Sequence, residues 1–172
     1  MTQTRGVLAA AAAMIALIVA SNILVQYPLN DWLTWGALLF PVCFLVTDLT
    51  NRSHGAAATR KMVLIAFPVA IVMSMLLATP RIGLASGTAF LVGQMLDVSV
   101  FDRLRRMSWW QAPLVSSVLA SAVDTALFFS LAFYATPVPW VTLGIGDFFV
   151  KVAMALAMLI PFRMLMPSLR PA

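Results

Sequence analysis

Apolar and polar positions divide this chain into six long hydrophobic runs, at about 7–26, 33–50, 62–80, 83–101, 113–135 and 141–165, with short polar or proline-containing breaks between them. A helix rises 1.5 Å per residue, so about 20 apolar residues cross the roughly 30 Å hydrocarbon layer of a bilayer. The pattern therefore predicts an all-α polytopic membrane protein with six transmembrane helices. These helices use almost all of residues 1–172, which leaves a single transmembrane domain and no stretch for a soluble one.

Composition supports that class. The chain is 62% hydrophobic and 10% charged, with a mean hydropathy of +0.98, whereas soluble domains are about one half apolar and one quarter charged. Short loops rich in Lys and Arg stay on the cytoplasmic side of a membrane. Here Arg5 precedes the first run, Arg52, Arg60 and Lys61 join the second and third, Arg103, Arg105 and Arg106 join the fourth and fifth, and Arg163 and Arg170 close the sixth. The opposite loops carry Arg81 as their single basic residue. Both termini are therefore expected in the cytoplasm. Topology and the anionic headgroups of the lipid bilayer account for the net charge of +5 without nucleic acid as a partner. Residues 5–21 also imitate a secretory signal, ending in Val19-Ala20-Ser21. Cleavage there would leave five spans, and the basic-loop pattern already works with the first helix retained.

Against this background the polar residues inside the runs stand out. Of six Asp and no Glu, four (Asp48, Asp97, Asp124 and Asp147) fall inside or at the inner edge of apolar segments. A carboxylate at the bilayer centre costs roughly 3 kcal/mol or more, so such residues are candidates for a ligand site. On the fourth helix Gly83, Gly87, Gln94 and Asp97 lie within about 80° of one another at ~100° per residue. Ser117, Ser121, Asp124 and Phe128 follow a four, three, four spacing on the fifth, with Thr125 at the margin of that stripe. The sixth offers Gly144, Asp147, Lys151, Met154 and Met158, and the first adds Asn22 and Gln26.

Structural readings compete with functional ones at each position. Asp147 and Lys151, one turn apart, either pair with each other or serve a ligand. Asp48 and Asp97 either cap helices and pair with Arg52 or Arg103, or face a site. Asp124 has no basic residue within a turn, so it requires a partner from another helix, a proton, water or a ligand. Gln94 and Asn22 serve either as interhelical hydrogen-bonding groups or as ligand contacts.

Enzymatic readings lack their parts. One His (His54) and one Cys (Cys43) supply neither a metal cluster nor a disulfide. No Gly-x-Ser-x-Gly, phosphate-binding loop or dinucleotide glycine pattern is present. No catalytic residue, metal or cofactor is expected, and binding and passage remain.

Four strings carry a resemblance: Pro41-Val-Cys-Phe-Leu-Val-Thr-Asp48-Leu-Thr-Asn-Arg-Ser-His-Gly55, Gly93-Gln94-Met-Leu-Asp97-Val-Ser-Val-Phe-Asp-Arg103-Leu-Arg105, Val123-Asp124-Thr125 and Asp147-Phe-Phe-Val-Lys151. Together, over about residues 40–165, they resemble the queuosine precursor transporter family, six-helix bacterial inner-membrane proteins grouped with vitamin-uptake transporters. Val42 and Cys43 on the second helix, and Ser53 and His54 after it, depart from the family's usual residues. The resemblance implies import of 7-deazaguanine bases, the 7-cyano and 7-aminomethyl precursors of queuosine. A carboxylate accepts two parallel hydrogen bonds from the N–H donors of a guanine-like edge, so Asp124 is the first choice of base reader and Asp97 the second. Gln94 suits the base's carbonyl or ring nitrogens, Phe128 its flat face, and Asp48 or Asp147 the cation of an aminomethyl group. A homodimer is expected, with Gly83 and Gly87 as a close-packing surface. The other readings are a substrate-binding membrane subunit driven by separate ATPase partners, and a membrane scaffold that does not transport.

Overall fold

The computed structural model describes residues 2–24, 27–30, 33–77 and 79–168. It contains α1 (Thr2–Leu24), β1 (Pro28–Asn30), β2 (Leu33–Thr34), α2 (Trp35–His54), α3 (Ala56–Leu77), α4 (Pro80–Leu104), α5 (Gln111–Phe133), α6 (Trp140–Leu165) and a closing turn of 3₁₀ helix at Met166–Ser168. Each hydrophobic run has become a helix. The two short strands pair antiparallel between α1 and α2, with Pro28 opposite Thr34 and Asn30 opposite Leu33. Local chemistry sets the ends of α4: Pro80 starts the helix, where its missing N–H costs nothing, and the Thr79 hydroxyl accepts a hydrogen bond from Ile82 N at 3.3 Å.

The polar stretch after the second run does not form the expected loop. Helix continues through it and breaks only at Gly55, which takes φ 81° and donates to Asn51 O at 2.9 Å. A glycine just past a helix end reaches this left-handed conformation without steric cost, so α3 restarts one residue later.

Helix α2 is the hub. The helices α1, α3, α4, α5 and α6 pack side by side around it in that order, and the ring is left open between α1 and α6. α2 touches α5 only slightly. Five of the six helices are long and apolar enough to cross a membrane, and α2 is the exception among the described residues. Its C-terminal half carries Thr47, Asp48, Thr50, Asn51 and Arg52. A helix sheathed by five others meets protein rather than lipid, so it tolerates this polarity.

Burial runs opposite to that of a soluble domain. Leu64, Leu76, Leu84, Phe149, Ile160 and Met164 lie on the outside, while Thr47, Asp48, Asn51, Gln94, Asp97, Ser116, Asp124 and Lys151 are buried. Such an apolar exterior around a polar interior is what a hydrocarbon solvent requires. Two apolar clusters flank the polar interior. One joins Met14 and Ile18 of α1 to Cys43, Met62, Val63 and Phe90, and the other joins Leu45, Phe101, Ala112 and Phe162.

Basic residues gather at one end. Arg60 reaches Ser99 at 3.3 Å, Arg105 donates to Arg52 O at 3.4 Å, and Arg163 lies 4.9 Å from the Trp109 ring. Arg81, the exception in the opposite loops, donates to Leu131 O at 2.9 Å and Tyr134 O at 2.6 Å. It thereby satisfies carbonyls at the C-terminal end of α5 that have no intrahelical donor.

Gly83 and Gly87 do not form an outward surface for a second copy. A Cβ on Gly83 would stand 2.9 Å from Met75 Cα, and one on Gly87 would stand 2.9 Å from Ile71 Cγ1. The small residues let α4 press against α3 within the same chain, so the homodimer surface expected there is already occupied.

Candidate functional site

Helices α5 and α6 bring four polar side chains to one point. Lys151 Nζ lies 2.7 Å from Asp124 Oδ2, 2.6 Å from Asp147 Oδ2 and 3.1 Å from Thr125 Oγ1. The Thr125 hydroxyl in turn donates to Asp147 Oδ2 at 2.7 Å. Asp147 and Lys151 meet because they are one turn apart on α6, and Asp124 and Thr125 reach them from the facing side of α5. All three ammonium protons thus have acceptors. Two carboxylates against one ammonium leave the cluster with a formal charge of −1. The Phe40 ring of α2, with its centroid 5.6 Å from Nζ, adds a cation–π contact.

Gly93 makes this arrangement possible. A Cβ there would lie 3.2 Å from Asp124 Cβ and 3.6 Å from Ala120 O. Only a glycine lets α4 approach α5 this closely at the level of the cluster.

A second polar group lies where α2, α4 and α5 meet. Asp48 accepts loosely from Ser116 at 3.4 Å and Ser117 at 3.5 Å. The Asp97 carboxyl lies against Asp48 and the same two serines, yet neither of its oxygens has a partner in hydrogen-bond geometry. Thr47 donates to Gln94 Oε1 at 2.5 Å, and Asn51 Nδ2 donates to Val98 O at 2.9 Å. Both contacts join residues 47 positions apart, so α2 and α4 run parallel through this region.

Between the two groups is a narrow cavity bounded by α2, α5 and α6. Its polar lining is Asp48, Ser117, Ser121 and Lys151, and its apolar lining includes Phe44, Leu45, Met158 and Phe162. It has room for about one water molecule. A bicyclic base would require α2 to move away from α5 or α6, and the slight packing of α2 on α5 offers little resistance.

The structure sorts the residues singled out in the sequence. Asp48 and Lys151 share the cavity wall. Asp124, Asp147 and Thr125 hold Lys151 in place. The partner that Asp124 required from another helix is therefore Lys151, 27 positions on. Asp97 and Gln94 lie behind the cavity on α4. Asp48 and Asp97 form no ion pair with Arg52 or Arg103 among the described residues; Arg52 is half-buried, with its Nε enclosed and lacking a hydrogen-bond partner. Phe128 packs on Phe129 and Phe133, at 5.2 and 6.0 Å between ring centroids, rather than on the cavity. The side chain of Asn22, and Gln26 altogether, lie outside the described residues. His54 is half-buried against Gly6 of α1, with Nδ1 2.7 Å from the Ser53 hydroxyl. Sequence reasoning missed Thr47, Asn51 and Ser116. Thr47 and Asn51, four residues apart on α2, carried the same one-face signal that identified the stripes on α4 and α5.

Comparison with known proteins finds relatives along most of the chain. Residues 34–79 and 74–166 match the family described as "Putative vitamin uptake transporter". The chain is 37% identical over 188 residues to the "Probable queuosine precursor transporter" of Haemophilus influenzae, covering 86% of this chain and 80% of the relative. It is 34% identical over 173 residues to the "Queuosine precursor transporter" of Escherichia coli, covering 84% and 78%. A "Probable queuosine precursor transporter" of Bacillus subtilis is 26% identical over 154 residues. No solved structure matches the chain.

Proposed function

We propose, from the premise that this chain belongs to the vitamin uptake transporter family, that it imports queuosine precursors across the bacterial inner membrane. Its cargo would be 7-cyano- and 7-aminomethyl-7-deazaguanine, the class for which its relatives are named. Six helices would then span the membrane. The basic end, which gathers Arg52, Arg60, Arg105 and Arg163, would face the cytoplasm with both termini.

The supporting observation is the cavity wall that sets Asp48 beside Lys151 inside an apolar shell. A guanine-like base offers adjacent N–H donors on one edge and acceptors elsewhere. Asp48, whose own donors are 3.4 and 3.5 Å away, has acceptor capacity for the donor edge. Lys151 has a donor face for the carbonyl or ring nitrogen, provided that it gives up one of its present partners. Phe44 and Phe162 supply flat apolar surface for the ring. The formal charge of −1 on the Asp124–Lys151–Asp147 cluster would balance an aminomethyl cation. Asp124 therefore acts by orienting Lys151, and Asp48 takes the base-reading role first expected of Asp124.

Uptake of labelled 7-cyano-7-deazaguanine into proteoliposomes tests this reading. Saturable uptake by the wild type that competes with the aminomethyl precursor supports it, and absence of uptake by folded protein contradicts it.

A further inference from the structure

Among the described residues, the buried side-chain atoms without a hydrogen-bond partner are Gln94 Nε2, both carboxyl oxygens of Asp97, Asn51 Oδ1 and Arg52 Nε. Native proteins leave few buried polar groups unpaired, so each such atom calls for a reason. Gln94 and Asp97 hold three of these atoms. They lie three positions apart on α4 and therefore share a face, with Cβ atoms about 5–6 Å apart. Gln94 is 1% exposed and Asp97 is fully enclosed.

The orientation of the Gln94 amide follows from its one bond. The Thr47 hydroxyl lies 2.5 Å from the Gln94 side-chain oxygen and 3.0 Å from Cys43 O. The shorter contact suits an O–H···O bond and is too short for a typical N–H···O bond, so the amide turns its oxygen to Thr47 and leaves its NH₂ group free. The unpaired set on this face is then one donor, from Gln94, followed by two acceptors, from Asp97. A guanine-like base in its keto form carries the inverse order along its Watson–Crick edge. Its carbonyl accepts, its ring N1–H donates and its exocyclic 2-amino group donates. Proteins that recognise a base outside a duplex read it by hydrogen bonds to this edge.

Both residues stand beside the cavity. Thr47, the partner of Gln94, precedes the cavity-lining Asp48. Gly93, next to Gln94, packs against Asp124 and Ala120 of α5, and Ser121 beside Ala120 also lines the cavity. α2 touches α5 only slightly, so parting these two helices to admit a base opens the cavity onto this face of α4.

We infer that Gln94 and Asp97 read the Watson–Crick edge of the cargo base from the α4 wall, and that they select bases with a carbonyl and an N1–H against bases with a 6-amino group. The inference rests on the transport reading given above and adds a second set of contacts to it. Asp48 and Lys151 meet the adjacent edge, where the 2-amino group offers its other N–H and the ring N3 accepts. The amine has one N–H for each edge, so Asp48 and Asp97 share it without competing. A base with a 6-amino group sets a donor against the Gln94 donor and the lone pair of N1 against the Asp97 carboxylate. Buried groups left opposed or unpaired in this way discriminate more strongly than a change of shape does.

Competition against labelled 7-cyano-7-deazaguanine, on the full-length protein in detergent, tests the inference with two unlabelled bases. 7-Deazaguanine carries the edge just described. 7-Deaza-2,6-diaminopurine replaces the carbonyl by an amine and N1–H by a lone pair, yet keeps the 2-amino group and N3 that face Asp48 and Lys151. The wild type is expected to bind the diamino base about a hundredfold more weakly, or worse. Gln94→Met removes the opposed donor and should weaken 7-deazaguanine by about tenfold while sparing the diamino base, which narrows the ratio. Asp97→Asn should narrow it as well, because its amide donates to the lone pair of N1. Equal binding of the two bases by the wild type overturns the inference and leaves the transport reading standing, and so does a ratio unchanged in Gln94→Met. If Asp97→Asn does not fold, the wild-type ratio and Gln94→Met decide. No saturable binding of 7-cyano-7-deazaguanine by folded wild type overturns the transport reading and this inference together.

Discussion

Lys151 of α6 and Asp124 of α5 form an ion pair, 2.7 Å from Nζ to Oδ2, with both side chains more than nine-tenths buried. Asp147 completes the cluster at 2.6 Å. Buried pairs are costly to break because the remaining partner is left charged and unsolvated. Lys151→Met strands two carboxylates and should lower stability by about 3–5 kcal/mol. Asp124→Asn leaves Asp147 in place and should cost about 1–3 kcal/mol. The double variant should be more stable than the sum of the two single losses implies. Unfolding of the purified variants in detergent micelles measures all three.

Gly93 and Gly146 offer a matched comparison. An added methyl at Gly93 meets Asp124 Cβ at 3.2 Å, whereas at Gly146 nothing lies within 4 Å. Gly93→Ala should destabilise by about 1–3 kcal/mol through overpacking and should weaken cargo uptake by displacing Asp124. Gly146→Ala should be neutral or stabilising by up to about 1 kcal/mol, the helix propensity difference. Thermal denaturation of both variants decides this.

Gln94 is a buried amide that is only half satisfied. Its Oε1 accepts from Thr47, but Nε2 is buried without a partner, so the amide contributes little to the fold. Gln94→Met should leave the melting temperature unchanged or higher. A large loss of stability would contradict this expectation.

Arg81 ties the N-terminal end of α4 to the end of α5. Arg81→Ala frees the carbonyls of Leu131 and Tyr134, both close to solvent at the helix end. The expected loss is about 1 kcal/mol, the usual value of a partly exposed hydrogen-bonded contact, with cargo binding unchanged. Denaturation and binding assays on the same preparation check the two halves of this prediction.

Hydrophobic pattern alone made the fold legible, since each apolar run became one helix. The junction at Gly55 was not legible, because the polar residues there suggest a loop while a single positive φ suffices to turn the chain. The polar stripe on α4 was visible as a face but not as a set of partners. Gly83 and Gly87 meet α3, Gly93 meets Asp124 on α5, and Gln94 meets Thr47 on α2. Spacing within one helix says which residues share a side, and only tertiary packing says what that side touches. For the same reason Asp124 looked unpaired in the sequence, although its partner Lys151 was already identified on α6.

The central claim is that a base is read from the wall of the cavity between α2, α5 and α6, with Asp48 as acceptor. Equilibrium binding of labelled 7-cyano-7-deazaguanine to purified protein in detergent, wild type against Asp48→Asn, tests it most directly. Loss of a charged acceptor for buried donors is worth about 1–3 kcal/mol, so affinity should fall roughly tenfold to a hundredfold in a variant that remains folded. Unchanged affinity in Asp48→Asn, or no saturable binding by folded wild type, would contradict the account.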